Sequence, residues 1–191
     1  MNPKSEINLQ EVIQEIASST DADAQVSRSL LQKHMVELAD WDATTPIETI
    51  KQIQIALSEE GNVTIATSMK IPNIKFRLGE FLLEAISIAV TASSSSDTPV
   101  KLVLAGLKFL QKVRELATVM ITPTDAEVLI AVQELTVKRE IPTVDMILEY
   151  MGKEKEKQVA KALETLENLA CITVSMNEIL LNESIVIHHA P

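Results

Sequence analysis

The run from Thr122 to Ile187 constrains the fold most, because three helical patterns are followed there by alternating, strand-like segments. Thr122-Pro123-Thr124-Asp125 opens the unit, and Thr124 with Glu127 three residues on is a capping-box pattern. Val128, Ala131, Val132 and Leu135 recur at helical spacing and supply a first buried face. Glu140-Ile141-Pro142 reads as a short strand. Thr143 then caps a second helix carrying Val144, Ile147, Leu148 and Met151, and Gly152 ends it. A third helix is predicted from Glu154 to Leu169, with Val159, Leu163, Leu166 and Ala170 facing inward. Ile172-Thr173-Val174 alternates as a strand should, and further strand-like runs lie at Ile179 to Leu181 and Ile185 to Ile187.

This order, and above all the stretch from Gln158 to Ile172, resembles the winged-helix superfamily. There it is similar to the end of a recognition helix running into the wing. Many family members have Gly where this chain has Ala170 or Cys171. The resemblance implies a small α+β domain whose third helix, in members that bind DNA, enters the major groove.

Charge opposes that use. Residues 122–191 carry six Lys and Arg against twelve Asp and Glu, and the whole chain has a formal net charge of -10. Duplex DNA repels such a surface. Projection of the third helix at about 100° per residue places Glu154, Lys157, Gln158, Lys161, Glu164, Thr165 and Asn168 on its outer face. Lys157, Gln158, Lys161 and Thr165 are the candidate contacts for nucleic acid or a protein partner. Glu154, Lys157, Lys161 and Glu164 follow one another at spacings of three, four and three, which pairs the two lysines with the two glutamates. The wing, Ile172 to Ile187, contains Glu178 and Glu183 and no Lys or Arg, while Lys153-Glu154-Lys155 leaves a small basic spot.

Upstream, the pattern is helical. Asn8 to Ser18 carries Leu9, Val12, Ile13 and Ile16 at helical spacing, followed by a polar break at Ser19 to Asp23 and a second helix from Ala24 to Ala39. A third helix starts at Thr45-Pro46 and ends near Ser58, with Gly61 as its stop. Val63-Thr64-Ile65 reads as a short strand, and Leu57 to Ile65 faintly repeats the helix-to-strand passage of the C-terminal unit. Helical patterning returns from Lys75. The segment Phe81 to Val90 is apolar on every side, so that helix is buried either in the bundle or in a homodimer interface. A serine turn at Ser93 to Asp97 leads into a helix starting at Asp97-Thr98-Pro99. Its apolar face runs from Val100 to Met120, and Lys101, Lys108 and Lys112 form a basic stripe opposite, a solvated face or a docking surface for an acidic partner or for the chain's own acidic C-terminal unit.

Composition narrows the chemistry. Aromatics make up 3% of residues and glycines number four, which favours helices with aliphatic cores over a strand-rich fold. Four separated glycines cannot form a phosphate-binding loop. Cys171, the single cysteine, reads as a buried structural thiol, and His34 as a satisfied residue at the edge of an apolar face. His188 and His189 sit on a tail without zinc-site spacing, and the paired acids Asp21/Asp23 and Asp40/Asp42 lack the rest of a calcium loop. Trp41 reads as an anchor between helices. Met1 to Glu6 lacks the apolar run of a signal peptide, and Ala85 to Val90 is too short to span a bilayer.

The expectation is a mainly α protein: an N-terminal helical bundle over residues 1–121 and a winged-helix-like α+β domain over 122–191. No catalytic set, cofactor site or metal site is expected, and the cytoplasm is the expected compartment. The function expected is that of a non-enzymatic regulatory or adaptor protein acting through protein contacts. The alternative is a DNA-binding transcriptional regulator using the third helix.

Overall fold

Leu9, Val12, Ile13, Ile16 and Ala17 fall on one side of a helix and are all buried, and around such stripes the N-terminal half assembles. The computed structural model describes residues 9–19, 23–38, 73–91 and 98–187, and these are mainly helical with two small sheets. The helices are α1 (Leu9–Ser19), α2 (Ala24–His34), α3 (Leu78–Thr91), α4 (Thr98–Val113), α5 (Pro123–Val137), α6 (Val144–Met151) and α7 (Glu156–Asn168). The strands are β1 (Met35–Leu38), β2 (Asn73–Phe76), β3 (Ile172–Ser175), β4 (Glu178–Leu181) and β5 (Ile185–Ile187). The expected helix at 45–58, the strand at 63–65 with its upstream echo, Trp41, Asp21, Asp40, Asp42, the serine turn, His188 and His189 lie outside the described residues.

Two expected helices give way in part to strands. The second ends at His34, and Met35–Leu38 pairs antiparallel with Asn73–Phe76, from Met35 opposite Phe76 to Leu38 opposite Asn73. The Arg77 N–H donates to the His34 carbonyl at 2.9 Å and closes the junction. Met35 and Leu38, three residues apart, satisfy helical spacing and not strand alternation, so it is the distant partner strand that makes this segment β1. The helical pattern expected from Lys75 likewise begins at Leu78, after β2.

All three phenylalanines of the chain meet beneath this sheet. Phe76 lies 5.1 Å from Phe81 and 5.6 Å from Phe109, ring centre to ring centre. Gly106 of α4 lies beneath Phe81, where a Cβ would come within 2.6 Å of the ring. Helix α3 is not buried all round: Phe81, Leu82 and Ala85 are buried, but Leu83 is 50% exposed. Helix α4 stops at Val113, short of the expected Met120, which is exposed. Glu115 ends it by adopting φ 55°, with the Leu116 N–H donating to Gln111 O and the Glu115 N–H to Lys112 O.

The C-terminal third returns to the N-terminal half. Helices α4 and α5 pack together across the Arg114–Thr122 connection, and one buried cluster runs from Leu9 to Ile187. Strand β5, expected as part of the wing, instead pairs with β2 (Ile74 opposite Ile187, Phe76 opposite Ile185), giving a sheet of order β1-β2-β5. Its buried Ile185 and Ile187 flank exposed Val186, so alternation here serves the other sheet. No helix among the described residues is long and apolar enough to cross a membrane.

Candidate functional site

The surface singled out by the sequence is built on α6, α7 and the β3–β4 hairpin. Thr122 and Asp125 start the unit: the Asp125 carboxylate accepts from both the backbone N–H and the hydroxyl of Thr122. The expected box partners Thr124 and Glu127 are thus displaced by two residues, with Pro123 as the first helical residue. Thr143 caps α6, its Oγ1 accepting from the Met146 N–H at 3.3 Å, and Gly152 ends that helix at φ 98°, where glycine is favoured. A 3₁₀ turn, Lys153–Lys155, precedes α7, so the third helix starts two residues later than expected.

Helix α7 ends in a left-handed turn without glycine. Ala170 takes φ 56°, the Cys171 N–H donates to Leu166 O at 2.9 Å, and the Ala170 N–H donates to Glu167 O at 2.8 Å. Leu166 and Cys171 are both buried beside the turn. The absence of the expected glycine therefore leaves the turn geometry intact. Burial pushes the Cys171 thiol well above its usual range and makes it a poor nucleophile.

The hairpin is fastened to its neighbours. Ile172 pairs with Leu181, Thr173 with Leu180, Val174 with Ile179 and Ser175 with Glu178. Alternation turns Ile172 and Ile179 inward and leaves Thr173, Ser175, Glu178 and Leu180 on the outer face. The Glu167 carboxylate accepts the Val174 N–H at 2.8 Å, satisfying an edge donor of β3. At the other edge, Thr143 bridges Glu178, the Ile179 N–H donates to Pro142 O at 2.8 Å, and the Val144 N–H donates to Asn177 O at 3.1 Å. The expected strand at Glu140 to Pro142 is reduced to this bridge. Asn177 also donates through Nδ2 to Asp145 at 3.0 Å. The two-residue tip therefore has one member, Asn177, tied to α6 and one, Met176, fully exposed at φ 59°.

On α7, Lys157, Gln158 and Lys161 are exposed, together with Glu164 and Asn168. Thr165 is buried and leaves the candidate set, because the inner face also takes in the row Ala162–Thr165–Leu169. The predicted pairing of Lys157 and Lys161 with Glu154 and Glu164 is not formed. Among the described residues neither lysine is within ion-pair distance of a carboxylate, and the neighbouring Lys155 meets Glu127 of α5 at 4.0 Å.

The basic stripe of α4 is divided. Lys112 pairs with Glu15 of α1 at 3.2 Å and so ties two helices together, while Lys101 and Lys108 are half-buried and have no ion pair among the described residues. His34 is buried and not fully satisfied. Its Nε2 lies 2.8 Å from Glu84, while Nδ1 has no hydrogen-bond partner among the described residues and lies 3.8 Å from Glu80. The Lys33 ammonium, and less strongly His34, hold the Glu84 carboxyl below the usual carboxylate range against partial burial. Among the described residues no three His, Cys, Asp or Glu side chains gather to hold a metal ion. Tyr150 is tilted onto α5 by a bond from its hydroxyl to Glu134 at 3.1 Å, and burial followed by that carboxylate raises its phenol above the usual range.

No protein-family model matches this chain, and neither a curated protein nor a solved structure matches it.

Proposed function

We propose that the C-terminal unit is a winged-helix-like module used for protein contact, and that the chain is a non-enzymatic regulatory or adaptor protein. The order helix, bridge, helix, helix, hairpin supports the architectural part of this reading. One observation carries the functional part. The hairpin presents exposed Met176 and Leu180, and Ile172 to Ile187 contains no cation to meet a phosphate. A contact surface with exposed apolar side chains and no cation suits a protein partner, whereas binding to a duplex draws on lysine and arginine at the backbone.

DNA binding through α7 is the second reading. It is favoured by the exposure of Lys157 and Lys161, neither of which has a carboxylate partner among the described residues. Titration of a labelled duplex at low salt separates the two. The protein-contact reading predicts no saturable, salt-dependent binding. Binding that weakens steeply with salt, and further in Lys157→Glu and Lys161→Glu, would replace it with the second reading.

A further inference from the structure

We infer that Met176 is a preset knob at the wing tip, seating in an apolar pocket with a cationic rim on a protein partner. The inference rests on the protein-contact reading and specifies the chemistry of its partner. Among the described residues nothing engages Met176, whereas its tip neighbour Asn177 is held by Val144 and Asp145. Its φ of 59° places an unbranched apolar side chain where hairpin turns ordinarily use Gly or Asn, and the side chain is fully exposed. The anchoring bonds keep the tip in position before a partner arrives, so little ordering is needed at binding. A thioether on a flexible stem adapts to an apolar pocket of irregular shape.

Charge defines the rim. Helix α6 and the hairpin, residues 144–151 and 172–181, hold three carboxylates, Asp145, Glu149 and Glu178, and no lysine or arginine. Glu178 stands on the outer face of the hairpin next to the tip, and Glu140 lies close to the bridge joining Thr143 to Glu178. A pocket rimmed by Lys or Arg complements that field, and a rim of acid or a phosphate backbone is repelled by it.

The test uses the full chain in its native cells, with a benzophenone-bearing residue placed singly at position 176, 161 or 108. The expected result is a protein adduct from position 176. Its mapped partner peptide carries Lys or Arg beside apolar residues. Combining the label with Glu178→Lys and Glu140→Lys, both at exposed side chains, lowers that adduct at least about fivefold by like-charge repulsion. An unchanged melting curve for the labelled charge variant excludes loss of fold as the cause. An adduct at 176 indifferent to the charge reversal overturns the cationic rim. Protein adducts from 161 or 108 with none from 176 overturn the knob and leave the protein-contact reading standing. Nuclease-sensitive adducts from 161 alone, or no adduct at any position, overturn both.

Discussion

Asn177 donates from its side-chain amide to Asp145 at 3.0 Å while its carbonyl accepts the N–H of Val144 at 3.1 Å, so one tip residue is fastened to the first turn of α6 twice. The Val144 N–H is a helix-start donor with no partner inside its own helix, and the hairpin supplies one. The side-chain bond is solvent-exposed, so Asn177→Ala should cost about 0.5–1 kcal/mol. The same substitution should raise hydrogen exchange at Met176 and at the amides of α6's first turn. Unchanged exchange at those amides would show that the tip is held some other way.

Three helices end on a left-handed residue other than glycine: Glu115 after α4, Arg139 after α5 and Ala170 after α7, at φ 55°, 61° and 56°. Each is enclosed by the same pair of backbone bonds, as in Glu140 N–H to Leu135 O and Arg139 N–H to Thr136 O. A side chain there is strained, and glycine relieves the strain at the cost of a more flexible unfolded chain. Ala170→Gly is expected to stabilise by about 0.5–1 kcal/mol net, measured by denaturant midpoint. The three glycine variants lie in separate turns and should add.

Gly106→Ala should do the reverse, although alanine is the better helix former. The new methyl carbon would meet Phe81 Cε1 at 2.6 Å and Cζ at 2.7 Å, within the cluster that also holds Phe76 and Phe109. Overpacking of this kind costs about 1–3 kcal/mol. A rise in melting temperature would mean that the Phe81 ring has room to move aside.

Acid should weaken the contact between α2 and α3. The folded-state carboxyl of Glu84 titrates below its ordinary value of 4.5, chiefly through its bond to Lys33. A depressed carboxylate contributes stability that is complete above its unfolded value and is lost as pH falls through the folded one. Stability measured below pH 5 should therefore fall less steeply in Glu84→Gln than in the parent chain. Parallel acid limbs for the two proteins would remove Glu84 from the account.

Association through α3 is open to a direct reading by sedimentation. Leu83 is 50% exposed on a helix that buries Leu78, Phe81 and Leu82. If that exposure serves a homodimer, Leu83→Glu returns a concentration-dependent dimer to monomer. A parent chain that sediments as a monomer at high concentration removes the homodimer.

The parts of the fold legible in the sequence are those set by local chemistry. Thr143 and Gly152 bound α6 because one offers a cap oxygen and the other accepts a positive φ. Cys171 was readable as buried because it follows an apolar helical face and opens a β-run. What escaped depends on distant partners. Met35 to Leu38 is spaced for a helix, and its pairing partner lies more than thirty residues on. Strand β5 looks like wing by sequence order, yet its alternation matches β2. Within the candidate face, Lys157, Gln158 and Lys161 project outward as predicted, whereas Thr165 sits at the margin of the helical projection and packing took it inside. The fastening of Asn177 and the exposure of Met176 had no local signal beyond a short gap between strand-like runs.

The most direct measurement follows the Met176 methyl group. The chain contains seven methionines, so a methyl-labelled sample in native cell extract gives a small set of resonances. The account predicts that the Met176 signal shifts or broadens in extract, keeps that change after nuclease treatment, and loses it when the extract is first digested with protease. A change abolished by nuclease, or a Met176 signal identical in extract and buffer, would contradict it.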